Sequence, residues 1–182
     1  MTADDAPDPA TTIVPDDKDW TWVLERPCPQ CGVDAGSLAL DQIPDLLRDN
    51  ARAWLEVLAR DNVAARRDAG TWSPLEYACH VRDVHRLFDE RLALMLDRDD
   101  PTFASWDQDV AAVEGGYGDQ VPREVATELQ EAAERVAGRY ADVPDGQASR
   151  TGRRSNGALF TVTTLGQYHA HDVLHHLWDV TD

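Results

Sequence analysis

No apolar run in this sequence approaches the roughly 20 residues that cross a bilayer, so no membrane-spanning helix is expected. Basic residues are scarce: 17 stand against 34 acidic ones, Lys18 is the only lysine, and the formal net charge is −17. Such a surface repels phosphate backbones and anionic lipid, which argues against nucleic acid and membrane as partners. Cysteine is nearly absent, limited to Cys28, Cys31 and Cys79. An odd count this low builds no disulfide framework and suits a reducing compartment. The N-terminus, MTADDAPDPATTIVPDDKD, has no basic region ahead of an apolar stretch. It reads as a solvated acidic tail rather than a signal or transit peptide, and the expected location is the cytoplasm. There is no internal repeat.

What is present is helical pattern. The length fits one compact domain with a short appendage, and the hydrophobic fraction of 42% is enough for one core. The expected division is an acidic tail and CxxC-containing irregular segment over 1–37, then a bundle over 38–182. The aromatic patch Trp20-Thr-Trp22-Val-Leu24 has no helical period and is expected to lay its rings on the outside of the core. From about Asp41 to Asn62, apolar residues recur at three- and four-residue steps, predicting a first helix. A second opens with the clearest start signal in the chain. Ser73 can cap it, Pro74 suits the first turn, and Glu76 completes a capping box, with the helix continuing to about Leu96. A loop with glycines 115, 116 and 118 follows, then a third helix from Pro122 to about Tyr140. After the polar stretch 145–157, with its Asn156-Gly157 turn signal, Ala158 to Thr161 reads as briefly extended. A fourth helix runs from Thr163 or Thr164 to about Val180. Four amphipathic helices without a convincing alternating strand predict an all-α four-helix bundle.

Histidine carries the chemistry. On the second helix His80 falls within the apolar arc of Val81, Val84, Phe88 and Met95, while His85 falls at its edge and is expected to face outwards or lie at a margin. On the fourth helix His171 and His175 are four residues apart, so their side chains stack on one face. Two imidazoles at that spacing can converge on one ion at metal–nitrogen distances of about 2.0–2.1 Å. His169 and His176 read as surface residues, and Asp172 and Asp179 flank the face as possible orienting carboxylates. With His80 as third donor the set leaves open positions, the pattern of a catalytic rather than a closed site. Spacing alone leaves open the alternative of hydrogen-bonded packing histidines. Cys28-Pro-Gln-Cys31-Gly has the shape of one zinc knuckle with no second CxxC to complete it. A distant histidine, a local disulfide or inert thiols all remain open for this pair, and no metal is expected there.

The segment Trp72-Ser73-Pro74-Leu75-Glu76-Tyr77-Ala78-Cys79-His80-Val81 resembles the second-helix motif of the DinB/YfiT-like superfamily, and His171-Asp172-Val173-Leu174-His175 resembles its fourth-helix His-xxx-His. The likeness covers roughly residues 40 to 180. It implies a bundle of up-down-down-up connectivity and a three-histidine site, here His80, His171 and His175, for a divalent ion, most commonly zinc or nickel. After His175 the chain has His176-Leu177-Trp178-Asp179 where many relatives carry Gly-Gln, which leaves subfamily and substrate undecided.

The resemblance further implies a metal-dependent enzyme. Relatives include transferases and isomerases that use low-molecular-weight thiols such as mycothiol, bacillithiol or glutathione as co-substrate. A cation with open positions lowers the pKa of a bound thiol, which is the physical basis for a thiol-dependent S-transferase of detoxification or stress response. The same centre can activate water, so a hydrolase is the alternative, and a non-enzymatic metal- or ligand-binding stress protein, working as a homodimer through an exposed helix face, is the second class. Arg150, Arg153 and Arg154 form the one basic cluster and are expected to include an anchor for an anionic small-molecule substrate, with ion pairing to nearby carboxylates as the competing role.

Overall fold

The computed structural model describes Ile13 and residues 19–181. Most of the acidic tail therefore lies outside the described residues. Helices α1 (Ile43–Leu58), α2 (Pro74–Asp97), α4 (Pro122–Ala141) and α5 (Val162–Thr181) form the bundle, and a short α3 (Gln108–Glu114) lies between α2 and α4. Helix α4 packs against α1 and α2, and α5 packs against the same two. Sequence neighbours α1 and α2 therefore stand across a diagonal of the bundle rather than side by side. Among the described residues no helix is long and apolar enough to cross a membrane.

Local chemistry explains the boundaries. Ser73 Oγ accepts from the Glu76 backbone N–H at 3.2 Å, and Glu76 Oε2 accepts from the Ser73 N–H at 2.7 Å. The expected capping box thus satisfies two otherwise orphaned donors at the start of α2. At α5, Thr161 and Thr164 make the analogous exchange, Thr164 N–H donating to Thr161 Oγ1 at 3.1 Å and Thr161 N–H to Thr164 Oγ1 at 2.8 Å. Trp54, Leu47, Leu92, Leu129, Val136 and Leu165 fill the centre of the core.

Three expectations about secondary structure need correction. Trp20–Leu24 is not irregular but a 3₁₀ turn, started by Asp19 accepting from the Thr21 N–H at 3.0 Å. The glycine-bearing loop contains α3, whose N-terminus Asp107 caps through the Asp109 and Val110 N–H groups. The chain is also not purely helical. Strands β1 (Thr102–Phe103), β2 (Thr151–Arg154) and β3 (Leu159–Thr161) make a small sheet, β1 parallel to β2 and β2 antiparallel to β3. Asn156-Gly157 turns the β2–β3 hairpin as the sequence suggests, with Gly157 at φ 94°. Gly152 must lack a side chain, because a Cβ there would sit 2.7 Å from Met95 Cγ on α2. That close approach is what lays the sheet on the end of the bundle.

His85 and His169, both expected near the surface, are completely buried. They partner one another: His85 Nδ1 and His169 Nε2 are 3.0 Å apart, and the His169 ring stacks on Phe88 at 4.5 Å. The pair bridges α2 and α5 at the depth where apolar residues would ordinarily meet.

Burial pushes His85 down to about 3, and burial together with His85 holds His169 well below its ordinary value of 6.5. The unfolded chain takes up protons below pH 6.5 that the folded chain refuses, so stability is fully present above that pH and is lost as pH falls towards 3. At pH 5 the His85 ring alone should cost about 2 kcal/mol, and His169 adds to the loss in the same direction. Urea unfolding between pH 7 and 4.5 should show this decline, and the double variant His85→Leu/His169→Leu should flatten it. An identical slope in that variant would show that the pair is not its source.

Candidate metal centre

Each turn of α5 aims donor groups in two adjacent directions. The sequence His171-Asp172-Val173-Leu174-His175-His176 contains two pairs at four-residue spacing, offset from one another by one residue or about 100°. Asp172 and His176 form the pair that faces α2. His80 Nε2 lies 3.6 Å from Asp172 Oδ1, which in turn lies 3.8 Å from His176 Nε2. One ligand atom from each of the three residues falls within 4.8 Å of the other two.

His80 is fully buried, and among the described residues neither of its ring nitrogens nor the buried Asp172 Oδ1 has a hydrogen-bond partner, their mutual approach of 3.6 Å being too long for one. Buried polar atoms left unpaired are costly, and a ligand set explains them. Tetrahedral coordination at about 2.0–2.1 Å separates ligand atoms by about 3.4 Å, a few tenths of an ångström inside the His80–Asp172 and Asp172–His176 spacings, and the third pair lies within 4.8 Å. Two imidazoles and a carboxylate thus fit one divalent cation. The electrostatics agree with that donor set. Burial lowers the pKa of His80 despite the nearby carboxylate, keeping one ring nitrogen's lone pair available. Burial opposes ionisation of Asp172, but His80 and His176 outweigh it and hold the carboxyl well below the usual range. His176 Nδ1 donates to Asp179 Oδ2 at 3.0 Å, which fixes the tautomer and turns Nε2 towards Asp172.

The walls are aromatic. Trp106 stacks on His80 at 5.3 Å, Trp72 lies 5.2 Å from the same ring, and Tyr77 lies 5.2 Å from His176. A cavity of about 760 Å³ opens over Asp172 and His176 between Trp20, Trp72, Trp106 and Tyr168. A smaller one of about 250 Å³ reaches His80 from the side of Leu87 and Arg91. Arg154 lines both, its guanidinium lying over the Phe160 and Tyr168 rings.

The expected set of His80, His171 and His175 is divided by this geometry. His171 and His175 face the N-terminal segment, where Cys31 Sγ is 3.8 Å from His171 Nε2 and Cys28 Sγ is 3.8 Å from His175 Nδ1. The reason is rotational: the packing of α5 turns the 172/176 face, not the 171/175 face, towards α2. His176, expected at the surface, therefore stands beside His80, their ring centroids 4.7 Å apart, and Asp172 Oδ1 lies within 3.8 Å of a nitrogen of each. Asp179 stands beside both α5 pairs, 3.0 Å from His176 Nδ1 and 3.8 Å from His175 Nε2. The signal that could have located His176 was the second i,i+4 pair, Asp172 with His176, interlocked with the first. The arginines separate too. Arg150 donates to the Met95 and Arg98 carbonyls, both at 2.6 Å, and closes the end of α2. Arg153 pairs with Asp100 at 2.9 Å on the surface. Only Arg154 reaches the cavities.

Comparison with known proteins agrees with this architecture. The family model described as the DinB superfamily matches residues 45–180. Among solved structures, YfiT from Bacillus subtilis superposes with a TM-score of 0.69 over 80% of this chain and 89% of its own, at 19% identity. YfiT is described as a probable metal-dependent hydrolase with an unusual four-helix bundle topology. At that identity the likeness establishes the fold. No curated protein matches this chain.

The division of the arginines is measurable. Replacing Arg150 with Ala strands two carbonyls at the α2 terminus and should lower stability by about 1–3 kcal/mol in urea denaturation. Arg153→Ala should leave the unfolding midpoint unchanged, because its ion pair is open to solvent. Equal losses in the two variants would contradict these separate roles.

Proposed function

This chain belongs to the DinB superfamily, and on that premise we propose that it is a metal-dependent hydrolase centred on His80, Asp172 and His176. The observation that carries the reading is the convergence of three donors from two helices: Asp172 and His176 lie in the wall of a cavity large enough for a small molecule, and buried His80, which lines the smaller cavity with Asp172, has no hydrogen-bond partner for either ring nitrogen among the described residues. Two imidazoles and one carboxylate form the ligand set of zinc centres that keep a position for water. A divalent ion bound there supplies Lewis acidity and lowers the pKa of a water molecule towards neutrality.

The chain's own residues do the rest. Asp172 contributes one negative charge and offsets part of the cation's charge. Asp179 holds the His176 ring in place through the Nδ1 hydrogen bond. Trp72 and Trp106 flank His80, exclude bulk water from its ring and offer apolar faces to a substrate. Arg154 is the cation in the cavity wall and suits an anionic end on that substrate. Polyanions are disfavoured by the net charge of −17, so the substrate class is a small ester or amide with an apolar body. Arg154 also favours a second reading, thiol-dependent S-transfer, since it can anchor the carboxylate of a low-molecular-weight thiol. The harder nitrogen and oxygen donor set places hydrolysis first.

The test uses the full chain loaded with zinc or nickel. Metal content should fall by one ion per chain in His80→Ala and in His176→Ala, with loss of turnover on a panel of small esters and amides. Asp179→Ala should weaken metal affinity or activity by about 10–100-fold. Consumption of a thiol with an electrophile, without ester or amide cleavage, would replace the hydrolase by the S-transferase. Full metal loading without turnover on either panel would leave a binding protein, and unchanged metal content in both histidine variants would overturn the centre itself.

A further inference from the structure

The second pair on α5 meets a second set of ligands. Cys28, Cys31, His171 and His175 bring four metal-ligating atoms within 4.8 Å of one another, and we propose that they form a closed, structural zinc site that clamps the N-terminal segment to α5. The site is separate from the His80 centre and stands whether or not that centre turns over a substrate.

The donor chemistry is that of Cys₂His₂ zinc. An ion with Zn–S of about 2.3 Å and Zn–N of about 2.0–2.1 Å holds its sulfur and nitrogen ligands about 3.6 Å apart in a tetrahedron. The two sulfur–nitrogen contacts here, Cys28 to His175 and Cys31 to His171, are both 3.8 Å. Both cysteines are free thiols, and Cys28, His171 and His175 are buried. Four protein ligands leave no position for water, so the role is structural.

The surrounding backbone is built for the purpose. Gly32 N–H donates to the Cys28 carbonyl and Cys28 N–H to the Val33 carbonyl, both at 2.9 Å, folding Cys28-Pro-Gln-Cys31-Gly32 into a tight knuckle. Gly32 sits at φ 74°, which a side chain would strain. His175 offers Nδ1 to the sulfur, and its Nε2 lies 3.8 Å from Asp179 Oδ1, the placement of an orienting carboxylate. Trp20 covers the cluster, its ring centroid 5.7 Å from His171 and 5.2 Å from His175. A second tie holds the same segment: Gln167 Nε2 donates to the Gly36 carbonyl at 3.1 Å and to the Leu38 carbonyl at 2.8 Å. Binding requires both thiols as thiolates, so loading releases two protons to solvent.

Cobalt(II), added to the full chain purified without air, reports the ligands directly. The wild-type protein and His80→Ala should both develop thiolate-to-cobalt charge-transfer absorption and intense tetrahedral ligand-field bands. Cys31→Ser and His171→Ala should lose them. Because a cysteine variant can fail to fold, the wild-type chain also carries a test of its own. With zinc bound, alkylation of Cys28 and Cys31, mapped by mass spectrometry, should be at least tenfold slower than after chelation. Absence of the thiolate band at saturating cobalt, alkylation rates indifferent to zinc, or a Cys28–Cys31 disulfide in the anaerobic protein would each overturn the proposal. Retention of the band in His80→Ala while that variant loses its other ion would separate this site from the His80 centre.

Discussion

The constraint on which this molecule depends is that α5 buries polar groups on several faces at once. His169 points into the core, Asp172 and His176 point towards α2, and His171 and His175 point towards the N-terminal segment. A helix so furnished cannot pack by apolar contact alone, because each unpaired buried nitrogen or oxygen costs free energy comparable to a lost hydrogen bond. Every face therefore needs a partner of matching chemistry. His85 meets His169, His80 meets the Asp172 pair, and two thiols meet the His171 pair. Leu165, Ala170 and Val173 supply the apolar contacts between these polar positions, and Asn50 on α1 donates to the Val173 carbonyl at 2.8 Å. The position and rotation of α5 are over-determined by these demands, which is the condition for a pre-organised site.

Much of this could be read in the sequence, and what could not has physical causes. The four long helices and the α2 capping box follow from period and cap chemistry, which are local. The small sheet does not, because strands of two to four residues carry no measurable alternation and are held by pairing partners far away in the chain. The expected set of His80, His171 and His175 is split between two donor groups by rotation. His175 and His176 differ by about 100° around the axis, and which of them meets α2 is set by the packing of the whole bundle. The Cys28–Cys31 pair was incomplete for a different reason: its nearest imidazoles lie 147 and 140 residues along the chain. Long-range proximity of that kind leaves no trace in local spacing.

The sheet links the outer structure to the cavity. Met95 and Phe103 crowd Gly152, and β2 continues directly to Arg154, so the close approach at Gly152 determines where the guanidinium comes to rest. The neighbouring arginines take up the remaining charges: Arg150 holds the carbonyls at the end of α2, and Arg153 pairs with Asp100. In a chain carrying −17, Arg154, the one arginine among the described residues lining the larger cavity, marks where an anionic group can be tolerated.

Trp20 connects the two faces of α5. Its ring rests on His171 and His175, and it also lines the cavity above Asp172 and His176. Part of the cavity wall is thus contributed by a segment whose anchorage lies on the adjacent face of the same helix, and His171 and His175 line the cavity too. A 3₁₀ turn of five residues has little cohesion of its own, so the position of that wall depends on what ties the segment down. The Gln167 hydrogen bonds fix one end of it and the Cys28–Cys31 knuckle fixes the middle. Asp179 reinforces the arrangement, with one oxygen 3.0 Å from His176 and the other 3.8 Å from His175, one carboxylate orienting a ring of each pair. Clamping the segment to the 171/175 face therefore shapes the cavity over the 172/176 face, and the two sets of donors act as one mechanical unit although they share no ligand.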